Sequence, residues 1–144
     1  SLRYPLATIF MIPVSFIGLF LVFGLSDFAF DQGGFAAFVM LCGVVVNAGI
    51  YLVNTWQGQM RRRAGRSSVS AYVRAWNHKI NPIMLTILST ILGLLPFLSD
   101  GPEEVFWFDF AIGTIGGMIF SVIALIFILP VFLIRKPRVA KTRP

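Results

Sequence analysis

The residues of this sequence best suited to chemistry are uncharged polar side chains set inside long apolar stretches: Asn47 and Asn54, then Thr86, Ser89 and Thr90, then Thr114 and Ser121. No Lys, Arg, Asp, Glu or His lies in the interior of those stretches, and intramembrane ionisable groups are the usual mark of an ion path. What such a set can do is donate and accept hydrogen bonds, either to a neighbouring helix or along a proton relay. Asn47 and Asn54 stand seven residues apart, which places them on one helical face two turns apart. An amide in lipid must find partners, so this face is expected to point into a protein interface, where structural bonds of about 0.6 to 2 kcal/mol each are the plain alternative to a relay. Gly113 and Gly117, with Gly116 between them, form a G-x-x-x-G pair that predicts close helix packing rather than activity.

Other reactive residue types are sparse. His78 is the single histidine and sits among bases with no partner ligand nearby, which reads as a solvated side chain. Cys42 is the single cysteine, so no intrachain disulfide or cysteine-rich metal site can form. The methionines Met11, Met40, Met60, Met84 and Met118 are scattered, unlike a soft-metal relay. There is no nucleophile paired with a base, no phosphate-binding loop and no zinc spacing. The sequence is therefore expected to be no enzyme and to hold no cofactor or metal.

The elements that must position these residues follow from hydropathy. Of the 144 residues 57% are hydrophobic and 12% charged, with a mean hydropathy of +0.83; a soluble domain carries about a quarter charged residues. Four uncharged runs are long enough to cross a hydrocarbon core: 4–26, 32–60, 80–99 and 110–134. They do not alternate as barrel strands do, so the backbone must satisfy itself in helices. The fold class is all-α and membrane-embedded, with helices expected at about 5–25, 35–56, 81–98 and 109–134 in a transmembrane unit over 1–134, followed by a basic tail over 135–144.

Charge then orients the helices. All six acids (Asp27, Asp31, Asp100, Glu103, Glu104, Asp109) fall in the first and third connections, whereas the twelve bases lie before the first span, between Arg61 and Lys79, and beyond Ile134. By the positive-inside pattern the basic side is cytoplasmic, and both ends of the segment with it. Topology and the anionic lipid of that leaflet account for the net charge of +6 without nucleic acid.

The inner connection, 57–79, has helical spacing at Val69, Tyr72, Val73 and Trp76. It is expected as a short amphipathic helix along the membrane surface, capped by Ser67 or Ser68, or as a solvated loop with one packed stripe. Asn81 and Pro82 read as the cap and first position of span three, and Pro96 as its outer end. Pro13 predicts a kink in span one. Tyr51 and Trp56 suit the cytoplasmic interface, and Phe106, Trp107 and Phe108 an aromatic belt on the outer side. With Ser1 first and the first span starting within five residues of it, the chain reads as a piece of a larger protein.

Taken in order, the stretches Gly43 to Asn54, Asn81 to Thr86, Leu92 to Pro96, Ile112 to Met118 and Leu129 to Phe132 resemble the C-terminal membrane part of resistance-nodulation-division (RND) permeases. The resemblance runs from Tyr4 to about Leu133. It implies the last four of twelve inner-membrane helices, in a trimeric, proton-driven exporter of amphiphilic compounds. The remaining helices, the periplasmic domains, a periplasmic adaptor and an outer-membrane channel would be its partners. In that family a relay joins two aspartates on the fourth helix to a lysine on the tenth and a threonine on the eleventh. Thr86 matches the threonine, and Asn47 stands where the lysine would be. Asn47 can exchange hydrogen bonds but carries no charge, so the resemblance implies that Asn47 and Thr86 are hydrogen-bonding parts of a relay. A four-helix scaffold that uses Asn47, Asn54 and Gly113 only for packing is the competing reading.

Overall fold

The structure is a computed structural model that describes residues 2–62 and 67–134. It contains four α-helices: α1 (Arg3–Leu25), α2 (Gln32–Arg62), α3 (Ser68–Ser99) and α4 (Val105–Leu133). Among the described residues there is no strand. Each helix is long and apolar enough to span a bilayer. At about 1.5 Å per residue, α1 with its 23 residues is about 35 Å long and α3 with its 32 about 48 Å, against a hydrocarbon core of about 30 Å. The chain is a multi-pass membrane segment. The expected basic tail lies outside the described residues.

Local chemistry sets the helix ends. Asp31 closes the first connection, its Oδ1 accepting from the Gly33 N–H at 2.9 Å and its carbonyl from the Phe35 N–H at 3.1 Å. Helix α2 therefore starts earlier than expected and takes Gly33 and Gly34 into its first turn. The second short connection turns at Gly101, whose φ of +80° only glycine adopts freely. Aromatic residues then enter α4 at once: Trp107 stacks on Phe97 of α3 at 4.9 Å, and Phe108 meets Phe28 edge-on at 5.0 Å.

The inner connection differs from expectation. Among the described residues no separate surface helix precedes span three; the amphipathic segment forms the first turns of α3, which runs without a break through Asn81 and Pro82. Ser67 caps it, accepting from the Ser70 N–H at 3.3 Å. A proline removes a single backbone donor, and packing on both sides of Pro82 outweighs that loss. Ala71, Tyr72 and Ala75 are buried before it, Ile83 and Ile87 after it. The Tyr72 hydroxyl donates to the Leu125 carbonyl of α4. The packed stripe is thus Ala71, Tyr72 and Ala75, while Val69 and Val73 stay about half exposed at 52% and 50%. Pro13 sits inside α1, as its apolar run requires, and Trp56 is buried, its ring 5.5 Å from that of Tyr4.

Helices α2 and α4 form the centre of the bundle, α4 with the more extensive packing. Each of the two packs against all three other helices, and α1 and α3 do not touch among the described residues. Glycines set the close approaches. A Cβ on Gly18 would stand 2.5 Å from the Gly116 carbonyl oxygen, and one on Gly33 would collide with the Phe106 carbonyl. Gly113 receives Phe23 and Ala37, and Gly117 receives Leu41. These pairings run α1 antiparallel to α4 and α2 parallel to it. The core between them is Met11, Leu19, Leu41, Val45, Met118 and Leu125, each fully buried.

Candidate functional site

Asn47 and Thr86 come from different helices and open into the same cavity, about 320 Å³ in volume, between α2 and α3. Ser121 of α4 forms part of its wall, and Tyr51 and Lys79 stand with the two polar residues at its sides. The geometry follows from helical spacing: Val44, Asn47, Ala48 and Tyr51 fall on one face of α2, and Lys79, Ile83 and Thr86 on one face of α3. Both Asn47 and Thr86 are exposed in this chain.

The hydroxyls have their protons engaged locally. Thr86 donates to the Pro82 carbonyl at 3.0 Å and Ser121 to the Met118 carbonyl at 2.7 Å. Each hydroxyl oxygen keeps lone pairs that can accept from a water or a side chain. The Asn47 amide makes no side-chain hydrogen bond among the described residues, so it offers both donors and acceptor to whatever enters. Together these groups can pass a proton along hydrogen bonds through water, but none of the three can hold a charge.

Asn54 shares the α2 face with Asn47 yet borders a second groove of about 300 Å³ on the α1 side, with Tyr4, Thr8 and Gln57. The asparagine stripe is therefore a ridge between two grooves. No other element covers it: a Cβ on Gly43 or Gly58, which flank the asparagines on that face, would meet nothing within 4 Å. The same is true of Gly93 on the face of α3 that carries Thr86. The uncovered side of the α2–α3 pair thus carries these polar and small residues, alongside exposed leucines of α3 such as Leu85 and Leu92. Gly113 and Gly117 are buried on the opposite, packed side.

Sequence reasoning overlooked Lys79. It lies seven residues before Thr86, the same face-sharing spacing that links Asn47 to Asn54, and it is the charged side chain lining the cavity. Its ammonium stands 5.9 Å from the centroid of the Tyr51 ring, within cation–π range. Thr8 and Ser15 on α1 were also passed over; both are buried and bond to carbonyls of their own helix, those of Tyr4 and Ile12. His78 is exposed and Cys42 is free and half-buried. Among the described residues no three His, Cys, Asp or Glu side chains cluster as metal ligands.

Comparison with known proteins adds a relationship to this geometry. The family model described as the AcrB/AcrD/AcrF family matches residues 1–135. Over 135 residues the chain is 27% identical to the multidrug export protein AcrF of Escherichia coli (strain K12), covering 93% of this chain and 13% of that protein. It is 26% identical over 135 residues to the toluene efflux pump membrane transporter TtgB of Pseudomonas putida, with the same coverage. It is also 26% identical over 129 residues to the swarming motility protein SwrC of Bacillus subtilis (strain 168), covering 88% of this chain and 12% of that protein. The chain spans about an eighth of the length of the curated relatives it matches.

Proposed function

The chain belongs to the AcrB/AcrD/AcrF family of RND efflux permeases, and on that premise we propose that it serves proton-driven export of amphiphilic compounds across the bacterial inner membrane. Asn47 and Thr86 act in this reading as hydrogen-bonding parts of a proton relay. The observation that carries it is their convergence: two polar side chains from separate helices share one cavity on the uncovered side of the α2–α3 pair. A relay completed by carboxylates from other helices needs an open polar face of this kind, because these residues bind protons only in transit. Asn54, on the ridge beside them, contributes to the interface with those helices.

Relatives named for multidrug export and toluene efflux support an apolar or amphiphilic cargo. The whole permease is proposed to be a homotrimer that works with a periplasmic adaptor and an outer-membrane channel. The basic ends of α2 and α3 face the cytoplasm, following the positive-inside pattern. Helices of this kind rock against the rest of the permease as protons enter and leave.

The test places Thr86→Ala and Asn47→Ala in the full-length permease and follows substrate efflux under an imposed proton gradient. At matched expression each variant is expected to lose about tenfold or more in rate, in line with removal of a positioned proton-transfer group. Wild-type efflux in both would remove them from the relay and leave them a packing role.

A further inference from the structure

We propose that the cleft between the basic ends of α2 and α3 binds the phosphate of an anionic phospholipid headgroup. The cleft, about 440 Å³ in volume, is lined by Thr55, Gly58, Gln59 and Arg62 on one side and His78 and Lys79 on the other. Positions 55, 58, 59 and 62 recur at three- and four-residue steps, so α2 presents them on one face over two turns.

Each wall residue suits a phosphodiester. Arg62 offers a planar fork of donors that matches two phosphate oxygens, and Lys79 a point charge. Gln59 adds an amide donor. The Thr55 hydroxyl already donates to the Tyr51 carbonyl at 2.9 Å, so its oxygen is left to accept from a headgroup hydroxyl such as that of glycerol. Gly58 has nothing within 4 Å of where its Cβ would be, which leaves the backbone open to approach.

Two further observations point to an anion, and to a lipid one. First, these cations have no carboxylate at their end of the bundle. All six acids of the chain lie in or beside the opposite connections, about 46 Å from Arg62 along α2 and about 32 Å from Lys79 along α3. Their counter-charge must come from outside the chain. Second, an apolar track leaves the cleft along α3. Leu85 and Leu92 follow His78 at seven-residue steps on the same face, and they are 66% and 56% exposed. A charged cleft that opens onto an exposed leucine row fits a molecule with a phosphate head and an acyl chain. Basic pockets between helices at the inner leaflet are a recognised setting for such headgroups.

The test uses the full-length permease that contains this segment, with phosphatidylglycerol and phosphatidylcholine as probes and native mass spectrometry as the readout. The wild type is expected to retain phosphatidylglycerol at least about tenfold better than phosphatidylcholine, and Arg62→Gln with Lys79→Gln to erase the difference. Arg62→Lys with Lys79→Arg keeps both charges and is expected to retain it. Melting in phosphatidylcholine nanodiscs shows that each variant is folded. Equal retention by wild type and the double glutamine variant would overturn the proposal. So would displacement of phosphatidylglycerol by millimolar inorganic phosphate, which would make the cleft a site for soluble phosphate. Binding is measured without transport, so this result stands apart from the efflux assay.

Discussion

Thr114 is fully buried in α4, and among the described residues its hydroxyl has no hydrogen-bond partner. Its neighbours in the core spend their hydroxyls on carbonyls three residues back, as Ser121 and Ser15 do. An unpaired hydroxyl in an apolar core is a net cost, and valine has nearly the same shape. Thr114→Val is therefore expected to raise stability by up to about 1 kcal/mol, read as a higher midpoint in thermal unfolding of the purified protein in detergent; a clear drop would show that the hydroxyl has a partner. Asn47 and Thr86 were legible from composition alone, because a polar side chain in an apolar run stands out. Lys79 was not, since it lies at the edge of a charged connection and only the course of α3 reveals that it shares a face with Thr86.

Between helices, the packing turns on where a missing side chain lets two backbones meet. A Cβ at Gly116 would run into Val22 and stand 3.1 Å from the Gly18 carbonyl oxygen, whereas one at Gly24 would meet nothing within 4 Å. Gly116→Ala is expected to destabilise by about 1 to 3 kcal/mol, while Gly24→Ala is expected to be neutral or to stabilise by up to about 1 kcal/mol through helix propensity. Comparing their unfolding midpoints isolates the contact from the propensity. The G-x-x-x-G pair was visible in the sequence of α4, but its partners were not. Gly18 and Gly33 belong to no motif and are recognised only once α1 and α2 are laid on α4. The join at Pro82 was hidden for a related reason. Asn-Pro before an apolar run reads as a helix start, and what keeps the helix going is distant: the burial of Ala71, Tyr72 and Ala75 and the bond from Tyr72 to Leu125.

For the molecule as a whole, the number of spans was legible because hydrocarbon imposes a length and a composition that few other settings require. Which faces would meet was not, because apolar side chains are as content against lipid as against one another. The sidedness proposed here has a direct check. In a Cys42→Ala background, a cysteine at Arg62 is expected to react with a membrane-impermeant maleimide only after the inner face is exposed, and one at Glu103 to react in intact spheroplasts. The reverse pattern would invert the topology.

The extensive packing of α4 also bears on how this segment is assembled. Of the four helices it leaves the ribosome last, yet the other three all pack on it. Until the stretch from Val105 to Leu133 has been translated, α1 and α2 hold each other only through contacts such as Thr8 with Gly49 and Phe16 with Phe38, and α3 leans on α2 alone. Within this segment, the contacts that α1, α2 and α3 make with α4 form only once α4 has been inserted. A premature stop in the reading frame before Val105 would leave Gly18, Gly33 and Leu41 without the α4 surface they pack against.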